Sequence, residues 1–137
     1  MRHLFVQTVL LAFAPFLFAD TPLIREATPQ EAKTFLASTP KAKVLDVRTV
    51  EEYRAGHIKG AVCIDVLESG FETKVAALDR KTPLLVHCRS GGRSKRALAV
   101  LTKLQFQQIV HLTEGMNAWE KAGFPVEKSQ PQKDTTP

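Results

Sequence analysis

The chain has 137 residues, a formal net charge of +5 and two cysteines, which is the composition of a single, mildly basic domain. Its cations are spread along the sequence apart from one cluster, and no basic stripe is interleaved with aromatic residues, which argues against nucleic acid as a partner. Two cysteines make no disulfide framework, and a domain of this size can bury an adequate core without one.

Residues 1–19 have the layout of a secretory signal peptide. The segment begins with a basic residue, continues with an apolar run over residues 4–18 and ends at the small Ala19. Pro15 interrupts the apolar run, which is shorter than the roughly 20 residues that span a bilayer. We therefore expect cleavage after Ala19 and a periplasmic mature protein that is free of the membrane, with a retained membrane anchor as the alternative.

Residues 20–128 alternate between helical and strand-like patterns. In chain order the predicted elements are a helix over residues 28–38, a strand over 43–48, a helix over 49–56, a strand over 61–66, a helix over 71–80, a strand over 82–88, a helix over 93–106, a strand over 108–112 and a helix over 114–123. This alternation predicts one α/β domain with a mainly parallel sheet. The polar residues 129–137 are predicted to form a disordered tail.

The third predicted strand ends at Cys88, where a glycine-rich and cationic loop, "CRSGGRS", leads into a helix. Ligands bind beyond the carboxyl ends of the strands in parallel sheets, so this loop is the candidate site. Paired glycines let backbone amides turn inward, and a helix start adds unpaired N–H groups. These surroundings favour a thiolate, so we predict Cys88 as the catalytic nucleophile. The predicted substrate-binding residues are Arg89, Ser90, Gly91, Gly92, Arg93 and Ser94.

Two chemistries use a thiolate in such a cradle, namely phosphoryl transfer and sulfur transfer. The phosphatase pattern places an arginine six positions after the cysteine, where this chain has Ser94, and its arginine, Arg93, comes one position earlier. The tighter loop suits a single sulfur atom better than a tetrahedral phosphate. In sulfur transfer the thiolate becomes a persulfide, whose anion the same amides stabilise. The loop length therefore favours sulfur transfer and predicts no hydrolysis of aryl phosphates.

The sequence resembles the rhodanese family in this loop and in two flanking segments, "LDVRTVEEYRAGHIKGAV" over residues 45–62 and "GMNAWEKAGFPVE" over residues 115–127. The resemblance implies a rhodanese-like five-stranded sheet flanked by helices, with a six-residue active loop over residues 88–93. It also implies a thiosulfate sulfurtransferase with thiosulfate as the anionic sulfur donor, a thiol or cyanide as the acceptor, and neither cofactor nor metal. A binding protein that carries or senses sulfur without turnover is the alternative.

Other chemically capable side chains are interpreted mainly as structural. Asp46 and Arg48 lie in the first flanking segment, where they either orient the loop or brace the fold, and we favour the second role. His57 is expected to stabilise a turn, and His87 should point to the opposite sheet face from the neighbouring nucleophile. Cys63 departs from the family pattern, and its apolar strand favours packing over a role in resolving a persulfide.

Overall fold

The computed structural model describes residues 22–129, so the predicted signal peptide and residues 130–137 of the predicted tail lie outside the described part. The elements are β1 (Leu23–Ala27), α1 (Pro29–Ser38), β2 (Lys43–Asp46), α2 (Val50–Ala55), β3 (Val62–Cys63), α3 (Phe71–Ala76), β4 (Leu84–His87), α4 (Gly92–Lys103), β5 (Gln108–Leu112) and α5 (Gly115–Lys121). The strands form one five-stranded sheet of order β1-β5-β4-β2-β3, in which every pair is parallel. The predicted α/β fold is thus confirmed. Across residues 22–129, no helix has the length and apolar character needed to cross a bilayer.

The two edge strands differ most from the sequence prediction. The sequence pattern did not indicate β1, because this edge strand reads "LIREA" and exposes four of its five residues. The strand predicted over residues 61–66 has regular pairing only at Val62–Cys63. Beyond it the chain still follows β2, since the amide of Ile64 donates to the carbonyl of Asp46 at 3.0 Å, but the ladder does not continue.

Two helices begin at the capping boxes that the sequence predicts. Thr28 and Glu31 exchange side-chain and backbone hydrogen bonds at the start of α1, and Thr49 and Glu52 do the same at the start of α2. Each box satisfies amides that a helix start leaves unpaired. The box at α2 also fixes the position of the Glu52 carboxylate, which faces the candidate site.

The core consists of two clusters of buried side chains, one on each face of the sheet. Alternate residues of the central strand β4 divide between them, with Val86 in one cluster and Leu85 in the other. All four residues of β4 are buried, so the strand that carries the site is held from both faces. Trp119, at 3% exposed, packs in the second cluster.

Candidate active site

Cys88 directly follows β4 at the carboxyl end of the sheet, and α4 begins four residues later at Gly92. The structure thus places Cys88 just beyond the strand, whereas the sequence predicts it as the last strand residue. The Cys88 side chain is buried against the core on one side, with 1% of the residue exposed. Its sulfur lies inside the turn that joins β4 to α4.

Hydrogen-bond donors of the loop converge on this sulfur. The amide of Gly91 lies 3.0 Å from Cys88 Sγ, and the Ser94 hydroxyl lies 3.4 Å from it. Burial by itself raises the pKa of the Cys88 thiol, but hydrogen bonds from the Ser94 hydroxyl and from the amides of Ser94, Gly91 and Ser90 outweigh it, so the pKa is lowered overall. The loop is therefore arranged to hold a sulfur anion.

The two adjacent glycines of the loop have different roles. Gly91 adopts a φ of +104°, in the left-handed region that side chains disfavour, and a Cβ there would lie 2.1 Å from the carbonyl oxygen of Thr113. Gly92 has no atom within 4 Å of a Cβ position, because it starts α4 facing open space. Only Gly91 is required for the turn that aims the amide at sulfur.

A second turn, between β5 and α5, holds the Cys88 loop from the side. The amide of Met116 donates to the carbonyl of Cys88 at 2.9 Å, and the amide of Asn117 donates to the carbonyl of Arg89 at 3.1 Å. Gly115 permits this approach, since a Cβ there would lie 2.3 Å from the Cys88 carbonyl oxygen. The sequence does not reveal this role, because the contacts involve backbone atoms from a distant part of the chain.

The two arginines predicted to bind substrate both approach a single carboxylate. Arg93 makes two hydrogen bonds with Glu52, of 2.7 and 2.8 Å, while Arg89 is 61% exposed and lies 3.9 Å from the same carboxylate. The hydrogen bonds from Arg93 and from the Thr49 amide, opposed in part by burial, lower the pKa of Glu52 to about 2. Glu52 thus positions the arginine at the end of the loop, a role that the sequence alone did not reveal.

A polar cleft of about 320 Å³ opens between α2 and α5 beside the loop. Arg89 and Glu52 line it on one side, and Asn117 and Glu120 line it on the other. The cleft brings charged and amide groups next to the loop, as a site for a small polar reactant requires.

Asp46 and Arg48 form a buried brace away from the sulfur. Their ion pair is 2.7 Å long, and Arg48 also donates to the carbonyl of Gly56 at 2.7 Å. This geometry supports the structural role that the sequence analysis favours for both residues. His57 likewise stacks on Tyr53, with ring centroids 3.9 Å apart, and its Nδ1 lies 3.0 Å from the Tyr53 carbonyl oxygen. Its backbone pairs with Glu127 in an isolated antiparallel bridge, so the residue does not lie in the turn that the sequence predicts.

His87 is fully buried and contacts the loop backbone rather than its sulfur. Its Nδ1 lies 3.1 Å from the carbonyl oxygen of Cys88. Burial lowers the pKa of His87 despite the nearby Asp46 carboxylate, so the ring is neutral and donates its Nδ1–H to that carbonyl. Among residues 22–129, no group of three or more histidine, cysteine, aspartate or glutamate side chains is arranged to hold a metal ion.

Cys63 is half-buried on the edge strand β3, and it forms no disulfide with Cys88. Its sulfur lies 3.5 Å from the carbonyl oxygen of Arg48. Burial, reinforced by the Asp46 carboxylate, raises the pKa of the Cys63 thiol to about 11. The two thiols therefore have opposite electrostatic surroundings, and at neutral pH Cys63 is a protonated packing group.

This fold and site define an α/β protein that holds a cysteine sulfur in a loop of hydrogen-bond donors. Residues 28–122 match the rhodanese-like domain, and the chain belongs to this family. The probable adenylyltransferase/sulfurtransferase MoeZ of Mycobacterium tuberculosis is 36% identical over 100 residues, which are 72% of this chain and 25% of MoeZ. The chain thus spans only a quarter of that relative's length.

Two further relatives are closer to this chain in length. The thiosulfate sulfurtransferase GlpE of Ectopseudomonas mendocina is 29% identical over 106 residues, which are 77% of this chain and 93% of GlpE. The crystal structure of a rhodanese-related protein from Thermoplasma volcanium superimposes with a TM-score of 0.68 at 28% identity, covering 77% of this chain and 99% of that one. The similarity therefore extends over almost the whole of each of these proteins.

Proposed function

We propose that this protein is a thiosulfate sulfurtransferase that passes sulfane sulfur through a Cys88 persulfide to a thiol or to cyanide. The observation that carries the proposal is the convergence of the Gly91 amide and the Ser94 hydroxyl on Cys88 Sγ. The loop that ends at Arg93 is too short for the phosphatase pattern, and the relative GlpE is named a thiosulfate sulfurtransferase.

The reaction has two displacement steps and needs no cofactor. The Cys88 thiolate attacks the outer sulfur of thiosulfate, the sulfur–sulfur bond breaks, and sulfite leaves with the bonding electron pair. The amides that face Cys88 Sγ then stabilise the persulfide anion. The acceptor attacks the outer sulfur of the persulfide, and the Cys88 thiolate is released unchanged. Arg89 and Arg93 are proposed to attract the dianionic donor.

The proposed site of this reaction is the periplasm. Residues 1–19 support export because they have the layout of a signal peptide. With such export, the protein would resemble phage shock protein E of bacteria. Protein isolated from the cell envelope should begin at Asp20, and cytoplasmic protein that still begins at Met1 would show that export is wrong.

Steady-state kinetics with thiosulfate and cyanide test the proposed function. Double displacement predicts parallel lines in double-reciprocal plots, because sulfite leaves before the acceptor binds. A persulfide that forms without turnover on cyanide or on small thiols would favour the sulfur-carrying or sulfur-sensing alternative. Hydrolysis of aryl phosphates above background would contradict the assignment based on loop length.

Glu52→Gln is expected to lower the KM for thiosulfate while leaving kcat nearly unchanged. The carboxylate competes with the anionic donor for Arg93, and a neutral amide at this position competes less strongly. The expected change in KM is about twofold to fivefold, which corresponds to the energy of a partly exposed ion pair. Glu72→Gln removes an ion-paired carboxylate far from the loop and serves as the control. A higher KM in Glu52→Gln alone would show that the ion pair assists donor binding.

Cys63→Ala is expected to retain most of the turnover. Its thiol is protonated and packs beside backbone carbonyls at the sheet edge. Urea unfolding should show a loss of about 1 kcal/mol in the free energy of unfolding, which is typical of point substitutions. Loss of turnover in folded Cys63→Ala protein would indicate that a second thiol takes part in the reaction.

A further inference from the structure

A line of hydrogen bonds leads from the sulfur of Cys88 to the protein surface. Ser94 Oγ lies 3.4 Å from Cys88 Sγ and 2.7 Å from His111 Nε2. On the other side of the ring, His111 Nδ1 lies 2.9 Å from a carboxylate oxygen of Glu26. Ser94 and His111 are fully buried, whereas the Glu26 side chain is 59% exposed. The sulfur is therefore connected to solvent through one hydroxyl, one imidazole and one carboxylate.

The fold fixes this line through elements distant in sequence. His111 on β5 is in direct register with Glu26 on the edge strand β1, so the two side chains share a sheet face. Ser94 lies in the first turn of α4, which packs over the same face. Thr113 adds a hydrogen bond of 2.6 Å to the Glu26 carboxylate and holds it beside the imidazole.

The protonation of His111 decides where the Ser94 hydroxyl proton points. Ser94 has one proton and three acceptors in reach, namely Cys88 Sγ, His111 Nε2 and, at 3.0 Å, the Gly91 carbonyl. A neutral His111 that donates Nδ1–H to Glu26 has a lone pair at Nε2 and accepts the Ser94 proton. A protonated His111 donates to Ser94 instead, which leaves the hydroxyl proton for the sulfur. A thiolate attracts that proton more strongly than a neutral carbonyl does.

We propose that Ser94, His111 and Glu26 form a proton relay that takes up the proton of the Cys88 thiol. The thiol proton moves to Ser94 Oγ while the Ser94 hydroxyl proton moves to His111 Nε2, so the S–H bond breaks and an N–H bond forms. A neutral thiol and imidazole become a thiolate and an imidazolium separated by one hydroxyl, and no other reactant is needed. His111 and Glu26 are positioning residues, because they act on the sulfur only through Ser94. The inference rests on the proposed role of Cys88 as the nucleophile.

Other ionisable groups lie on several sides of the relay. The hydrogen bond from Thr113, opposed in part by burial and aided by His111, lowers the pKa of Glu26, so a carboxylate faces the imidazolium. His87, the other buried ring near the sulfur, is kept neutral by burial and does not compete for the proton. Lys95, exposed on α4, acts on Glu26, and the Cys88 sulfur lies on the other side of the Ser94 hydroxyl.

The pH dependence of Cys88 alkylation by iodoacetamide, followed on the Cys88 peptide, tests the relay. This measurement needs neither donor nor acceptor, so its outcome is independent of whether thiosulfate is the substrate. His111→Gln keeps a side chain of similar reach that cannot take up a proton, and Ser94→Ala removes the link. Each should raise the apparent pKa of Cys88 by about one unit and slow alkylation at pH 6 about tenfold. Ser94→Thr keeps a hydroxyl and should restore most of the lost rate.

The double variant separates a relay from a general effect of charge or packing. If His111 acts through Ser94, adding His111→Gln to Ser94→Ala should change the profile no further. An additive shift in the double variant, or an unchanged profile in His111→Gln alone, would overturn the proposal.

The exposed end of the relay gives a test that does not disturb the core. Glu26→Gln should slow alkylation at pH 6 in the same direction by about threefold, since the imidazolium loses its carboxylate. Glu114 is exposed in the neighbouring turn and its side chain does not cap α5, so Glu114→Gln removes a nearby charge and should leave the profile unchanged. Equal profiles for Glu26→Gln and Glu114→Gln would overturn the proposal even if the buried variants fail to fold.

Discussion

Cys88→Ser is expected to reduce sulfur transfer to background while the fold stays intact. A serine hydroxyl fits the same cradle of the Gly91 amide and Ser94 hydroxyl, but it does not ionise near neutral pH and forms no persulfide. Turnover with thiosulfate and cyanide, measured beside circular dichroism, checks both parts of this expectation.

The chain offers a chemically identical control in its other cysteine. Cys63→Ser makes the same atom replacement at a thiol whose pKa is raised to about 11, and it should keep most of the turnover. Turnover clearly above background in folded Cys88→Ser protein would show that another group accepts the sulfur.

Turnover should also persist well below the pH at which an ordinary cysteine ionises. Burial raises the pKa of Cys88, but the Ser94 hydroxyl and the loop amides lower it further than burial raises it. The reactive thiolate therefore persists to lower pH than in an ordinary cysteine, and it is lost as the pH falls through the lowered pKa. A pH profile of kcat/KM for thiosulfate whose acidic limb lies near pH 8.5, the ordinary value for a free cysteine, would contradict this expectation.

Gly91→Ala is expected to destabilise the protein by about 3 kcal/mol and to abolish most of the activity. The methyl group would lie 2.1 Å from the carbonyl oxygen of Thr113, and φ at this position is +104°, so both sterics and backbone conformation oppose it. Relief of the clash moves the Gly91 amide away from the sulfur, which raises the pKa of Cys88. Urea unfolding and the alkylation rate of Cys88 measure the two effects separately.

Gly92→Ala is the matched control for this substitution. Its Cβ would meet no atom within 4 Å, and the residue begins α4, so alanine should leave the free energy of unfolding nearly unchanged. Equal stability losses in the two variants would show that the loop is not held by the contact between Gly91 and Thr113.

The sequence predicts the features that depend on neighbouring residues. The capping boxes at Thr28 and Thr49, the buried strand β4 and the loop of glycines after Cys88 all arise from local patterns, and the structure contains each of them. The edge strand β1 has no such pattern, because four of its five residues are exposed and its pairing with β5 joins distant parts of the chain.

The supporting residues of the site could not be predicted, because their contacts join distant parts of the chain. Glu52 lies 41 positions from Arg93, and Glu26 lies 85 positions from His111. Neither carboxylate belongs to a motif with the residue that it holds. Parallel pairing of β2 with β4, of β4 with β5 and of β1 with β5 brings these groups to one end of the sheet, and only the strand order reveals that they meet.

The mass of the protein after incubation with thiosulfate alone tests the central claim most directly. Attack by the Cys88 thiolate predicts a covalent persulfide, heavier by the roughly 32 Da of one sulfur atom, that maps to the Cys88 peptide. Cyanide should then restore the original mass, and Cys88→Ser should gain none. Continued turnover by a protein that carries no added sulfur on the Cys88 peptide would contradict the double-displacement mechanism.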